Sequence, residues 1–115
     1  MADRTIVLAP NGRSSVRGLS EVGPQEFLAY QDEDDALTYT IDYTAYLEGA
    51  TISSVTRAAS GPTVTNTSNT TTRVIQRLNG SGYVDIAVTT STGDSDTLRI
   101  TIRPRLNAGL SSDFN

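Results

Sequence analysis

Leu37-Thr38-Tyr39-Thr40-Ile41-Asp42-Tyr43 puts an apolar or aromatic side chain at every odd position and a polar one at every even position. In an extended chain successive side chains point to opposite faces, so this segment has one face for a core and one for water. The same alternation returns in residues 83–90, where Val84, Ile86 and Val88 share one side and Tyr83, Asp85, Ala87 and Thr89 the other. It returns again in residues 97–103, with Leu98, Ile100 and Ile102 inward and Thr97, Arg99, Thr101 and Arg103 outward. Residues 71–78 are rich in β-branched side chains; alternation turns Val74 inward and sets Arg73, Ile75 and Arg77 on the opposite face. Residues 26–30 and 51–56 are shorter candidates.

Turn chemistry punctuates these runs. Asn79-Gly80-Ser81-Gly82 predicts one hairpin and Ser91-Thr92-Gly93-Asp94 the next, with Gly93 suited to a positive φ, while Gly61-Pro62 breaks the chain after the strand at 51–56. Ala45-Tyr46-Leu47-Glu48-Gly49 is long enough for one helical turn. Thr65 to Thr72 contains only Thr, Asn and Ser; a solvated loop is the expected state, with an exposed edge strand as the alternative. Six or seven short strands over residues 26–105 predict an all-β, immunoglobulin-like β-sandwich. Residues 1–25, rich in Gly, Pro, Ser and Arg, predict an extended N-terminal arm that orders on a neighbouring subunit, with Ile6, Val7 and Leu8 as its apolar anchor. Such an arm would reach roughly 80 Å at about 3.3 Å per residue. Residues 106–115 read as a short polar tail.

The 115 residues include no Cys, His, Trp or Lys. Those absences remove Ser-His-Asp and Cys-His catalysis, thiolate zinc sites, disulfides and Schiff-base chemistry. Any reaction would rest on carboxylates, hydroxyls and arginines. Thirteen acids offer many carboxylate pairs, so the existence of a pair does not indicate glycoside hydrolysis. No enzyme and no cofactor are expected. The run Asp32-Glu33-Asp34-Asp35 has the charge density a calcium ion takes, and Asp94-Ser95-Asp96 alternates carboxylates after a turn. The first lacks the glycine and distal glutamate of a calcium loop, and a capped hairpin explains the second, so no metal site is expected at either.

All nine basic residues are arginine, and the net charge is −4. That balance predicts no nucleic-acid partner, which would need a net positive face. Arginine without lysine fits either interface ion pairing or codon bias in a GC-rich genome. Arg99, Arg103 and Arg105 share the outward parity of the last strand, and Arg73 and Arg77 share a parity on an earlier one. Were those strands neighbours, the five would form a cationic stripe, either as charge protection of a sheet edge or as a docking face for an acidic partner. No apolar run reaches the roughly 7–15 residues of a signal peptide or the roughly 20 of a membrane helix. A chain made in a host cytoplasm, not secreted and not membrane-bound, is expected, and the sequons at Asn66, Asn69 and Asn79 then have no role.

From Phe27 to Arg105 the chain resembles the fiber-tail adaptor family of small phage virion proteins. The likeness lies in residues 37–43 with Tyr46, Leu47 and Gly49, in Thr51-Ile52-Ser53-Ser54, and in residues 83–103 around Thr89-Thr90-Ser91-Thr92-Gly93. Tyr43 and Tyr46 stand where the family tends to carry tryptophan. The resemblance implies a non-enzymatic β-sandwich of a tailed phage virion, at the tail or neck, joining a fiber or neighbouring subunits to tail or portal. It implies virion proteins as partners and several copies in a symmetric assembly. A capsid decoration protein and a surface module for glycan or receptor are the alternative expectations.

Overall fold

The computed structural model describes residues 4–8, 14–32 and 35–104. They form ten strands and one helical turn: β1 (Arg4–Val7), β2 (Ser15–Arg17), β3 (Ser20–Gly23), β4 (Glu26–Tyr30), β5 (Ala36–Asp42), α1 (Thr44–Leu47), β6 (Ile52–Ser60), β7 (Thr63–Asn69), β8 (Arg73–Asn79), β9 (Gly82–Thr90) and β10 (Ser95–Arg103). Two five-stranded sheets pack face to face as a sandwich. Sheet A has the order β2-β1-β5-β8-β7 and sheet B the order β3-β4-β10-β9-β6.

Alternation read from the sequence decides what lies between the sheets. Leu37, Tyr39 and Ile41 of β5 and Tyr43 beyond it are buried, as are Val84, Ile86 and Val88 of β9 and Leu98, Ile100 and Ile102 of β10. Val74 and Leu78 of β8 and Phe27 and Ala29 of β4 complete the inner faces. Ser91-Thr92-Gly93-Asp94 closes the β9–β10 hairpin, with Thr89 opposite Ser95 and Gly93 at φ +94°.

Three expectations are corrected. The described residues of the segment expected as an arm are part of the sandwich. β1 pairs in parallel with β5, Ile6 opposite Ile41, and Ile6 and Leu8 are buried in the chain's own core. Burying two large aliphatic side chains, each worth roughly 1.5–3 kcal/mol, outweighs the freedom that an arm would keep. β2 and β3 then extend the two sheets at their edges, so the described sandwich begins before residue 26. Second, Asn79-Gly80-Ser81-Gly82 does not close a hairpin, because β8 belongs to sheet A and β9 to sheet B. Its glycines carry the chain across the sandwich, as Gly61-Pro62 does between β6 and β7. Third, the threonine-rich stretch from Thr63 to Asn69 is a strand: β7 pairs antiparallel with β8 at the edge of sheet A, with a register shift between Thr65 and Ser68. Residues 106–115 lie outside the described residues.

Buried polar groups tie the sheets together. Gln31, just past β4 of sheet B, donates from Nε2 to the carbonyls of Asp35 (2.8 Å) and Leu78 (2.9 Å), while its Oε1 accepts from the Tyr39 hydroxyl at 2.7 Å. Arg4 of sheet A donates to the Tyr30 carbonyl of sheet B at 2.8 Å. At the other long edge Arg57 of β6 donates from Nε to Gln76 Oε1 at 2.9 Å, and Gln76 Nε2 donates to the Tyr39 carbonyl at 2.7 Å. A buried amide left without partners is costly, so the bonds from Gln31 to Leu78, from Arg4 to Tyr30 and from Arg57 to Gln76 favour one alignment of the two sheets, while that from Gln76 to Tyr39 joins β8 to β5 within sheet A.

Candidate docking surface

With the inner faces consumed by the core, the outer faces are what a partner meets. On sheet B the register lines up Ser60, Tyr83, Thr101, Leu28 and Ser20 across the strands from β6 to β3. The next row is Ala58, Asp85, Arg99 and Glu26. Arg103 stands beside Tyr30 at the far end. Tyr83 is 37% exposed, Tyr30 48% and Val22 of β3 58%; the fourth large exposed apolar side chain among the described residues, Val7, belongs to sheet A. Tyrosine and arginine on one face are the residue types that anchor protein interfaces, since they bring large area with few rotatable bonds.

Arg99 is held in place on this face. It donates two hydrogen bonds to Asp85, from Nε at 2.7 Å and Nη2 at 3.0 Å, and its guanidinium lies 4.0 Å from the centre of the Tyr83 ring. A forked pair stacked on an aromatic ring loses little further freedom on binding. Those hydrogen bonds hold the Asp85 carboxyl below its ordinary range, opposed by partial desolvation. A depressed folded value means the pair favours the fold above the unfolded carboxylate value and ceases to do so as pH falls through the folded one. Asp85→Asn therefore gives a shallower loss of stability on acidification below about pH 4 than the unaltered chain. Acid titrations followed by circular dichroism read this, and superimposable curves would discount the pair.

The sandwich end near the β9–β10 turn holds a polar cleft of about 480 Å³, lined by residues that include Tyr46, Glu48, Thr90, Asp94 and Asp96. Tyr46 donates its hydroxyl to Asp96 Oδ2, and burial, with the adjacent carboxylate, pushes its phenol up to about 12. Tyr43 packs edge-on against Tyr46 with ring centres 6.2 Å apart; its buried hydroxyl makes no hydrogen bond, and burial raises its phenol. No group of three or more possible metal ligands converges among the described residues. In the run from Asp32 to Asp35, Asp35 N donates to Asp32 O at 3.0 Å; Glu33 and Asp34 lie outside the described residues.

The arginine stripe is not formed. Arg73 and Arg77 lie on β8 of sheet A and Arg99 and Arg103 on β10 of sheet B, so the two pairs face opposite directions. Parity along each strand is as read; the division of strands between sheets separates them. Arg73 lies 3.7 Å from Asp42, whose carboxyl is lowered chiefly by the Thr44 hydroxyl. Arg105 lies outside the described residues. Of the three anchor residues, Ile6 and Leu8 face the core, and Val7 alone is partly exposed. Sequence reasoning missed Val22, Leu28 and Tyr30 as a surface. The signal was there in β4, where Leu28 and Tyr30 share the parity of Glu26, opposite to Phe27 and Ala29.

A small two-sheet sandwich with an aromatic and guanidinium outer face is an all-β structural module. Residues 31–103 match the family model described as Podophage GP4 fiber-tail adaptor protein gp77, and the chain belongs to this family of phage virion structural proteins. The match begins after β4, so β1 to β4 lie outside the matched residues. Among solved structures, the chain is similar to a cysteine protease inhibitor from Entamoeba histolytica, at 10% identity and a TM-score of 0.43 over 68% of this chain and 85% of that one. No curated protein matches it.

Proposed function

We propose that this chain acts without catalysis as an adaptor at the tail or neck of the particle, joining a fiber or neighbouring subunits to the tail or portal. Several copies would sit in a symmetric assembly, with the outer face of sheet B as the docking surface. Family membership supplies the class of role. The observation that carries the surface is that Val22, Tyr30 and Tyr83 stay exposed on the sheet that also presents Arg99, fixed by Asp85 and stacked on Tyr83. Docking passes from residues 6–8, needed in the core, to side chains that the fold leaves exposed.

Tyr30→Ala with Tyr83→Ala tests the reading. Both rings are partly exposed, so the double variant keeps its fold and melts close to the unaltered chain. Incorporation into particles, measured by quantitative mass spectrometry of purified virions, falls by at least about tenfold, since anchor residues commonly contribute 2 kcal/mol or more each. Arg73→Ala with Arg77→Ala, on the other sheet, leaves incorporation unchanged. A folded Tyr30/Tyr83 variant that enters particles normally would overturn the assignment.

A further inference from the structure

We propose, on the basis of the joining role above, that the outer face of sheet A is a second docking surface and takes an acidic face of another virion protein. An adaptor seated through one face must present another to the body it joins, and the outer face of sheet A points away from that of sheet B. Strand parity sets its chemistry. In register across β2, β1, β5, β8 and β7 lie Arg17, Thr5, Thr40, Ile75 and Ser68. On one side of that row stand Thr38, Arg77 and Thr65, and on the other Val7, Asp42 and Arg73. At the described outward positions three arginines thus meet one aspartate, on a chain whose net charge is −4. None of these positions is aromatic, in contrast to sheet B.

Arg73 lies beside Asp42 yet its side chain is 57% exposed, and among the described residues Arg17 and Arg77 make no ion pair. Arg73 and Arg77 are four residues apart on β8, about 14 Å, and Arg17 lies three strand spacings from β8, also about 14 Å. Between them Thr5, Thr38 and Thr40 form a floor of β-branched side chains with few rotamers to lose. Protection of a sheet edge by charge does not account for Arg73 and Arg77. They stand on β8, one strand inside the edge, whereas the edge strand β7 has no charged residue. A guanidinium fork matches a carboxylate with two parallel hydrogen bonds, so widely spaced arginines with free donors suit an acidic protein surface. A nucleic acid needs a net positive field, which a chain of net charge −4 does not supply. A second copy laid face to face would set arginine against arginine.

Arg17→Glu with Arg77→Glu in the full-length chain tests this in particles. Both side chains are exposed and without an ion pair, so the variant melts within a few degrees of the unaltered chain. Arg17→Gln with Arg77→Gln serves where charge reversal disturbs the fold. Seated through sheet B, the variant enters particles in normal amount. One other virion protein falls by about tenfold or more in the same mass-spectrometric measurement. Second-site changes that restore that protein replace its Asp or Glu residues with neutral or basic ones. A folded variant whose particles keep an unchanged composition overturns the proposal, as does exclusion of the folded variant itself. Restoring changes that spare the carboxylates of the lost protein overturn it as well. The other occupants are read on the free protein at physiological salt. Binding of duplex DNA, or dimerisation in sedimentation, that the Arg17/Arg77 variant abolishes would replace the acidic partner by a nucleic acid or a second copy. Should Tyr30→Ala with Tyr83→Ala enter particles normally while the Arg17/Arg77 variant still loses the other protein, the seat on sheet B fails and the acidic partner stands.

Discussion

Ile6→Ala lowers the free energy of unfolding by about 3 kcal/mol, the cost of deleting a fully buried aliphatic side chain and leaving a cavity. Ile6 is 1% exposed and lies opposite Ile41, so its removal opens a gap between β1 and the centre of sheet A. The loss also weakens β2, whose pairing within sheet A runs only through β1. Val7→Ala, one position on and facing outward, changes stability by no more than about 0.5 kcal/mol. In urea titrations the Ile6 variant shifts to a midpoint lower by about 1–3 M, with an unaltered slope. The opposite pattern, a normal midpoint with lost particle incorporation, is what an arm held by a neighbour would give, and it would contradict the buried strand. Any truncation intended to free an arm should accordingly be judged first by whether the protein still folds.

That prediction turns on a segment the sequence conceals for a physical reason. The long strands β5, β9 and β10 are each half-buried over seven or nine residues, so alternation has room to show. β1 has four residues, and its apolar run Ile6-Val7-Leu8 has no polar interruption. Its partner β5 is parallel and more than thirty residues away, so no turn announces the pairing. β2, with three residues, and β3, with four, are no longer. Buried polar residues are hidden for a different reason. Gln31 and Gln76 carry the signature of surface; the Leu78 carbonyl, brought close by the packing of two sheets, and the Tyr39 carbonyl of the neighbouring strand β5 make their burial favourable. The proposed docking face is half legible in the sequence. Parity set Tyr83, Arg99 and Arg103 outward, but which other outward residues share their sheet depends on the partition of ten strands, which no local pattern encodes.

The partition itself is enforced where the chain crosses between sheets, and there the second large effect is expected. β6 runs into β7 through Gly61-Pro62, and β8 runs into β9 through Gly80-Ser81. The two crossings touch backbone to backbone. A Cβ built on Gly82 would lie 2.1 Å from the Ser60 carbonyl oxygen, and one on Gly61 would lie 2.2 Å from that of Ser81. Both glycines also hold positive φ, +132° and +108°. Neither obstacle is a movable side chain, so Gly82→Ala must push one crossing off the other as well as bear an unfavourable φ. We expect a cost of at least about 3 kcal/mol, toward the upper end for single substitutions, and a fall in Tm of more than about 10 °C. Gly93→Ala separates the two contributions. Gly93 has φ +94° but open space where its Cβ would go, so that change reports the backbone conformation alone and costs about 1 kcal/mol. If the Gly82 and Gly93 variants melt at the same temperature, the crossings do not press on each other. A wide gap between them locates the separation of the two sheets in a contact that only glycine permits. It also explains why a stretch with ordinary hairpin composition connects two different sheets.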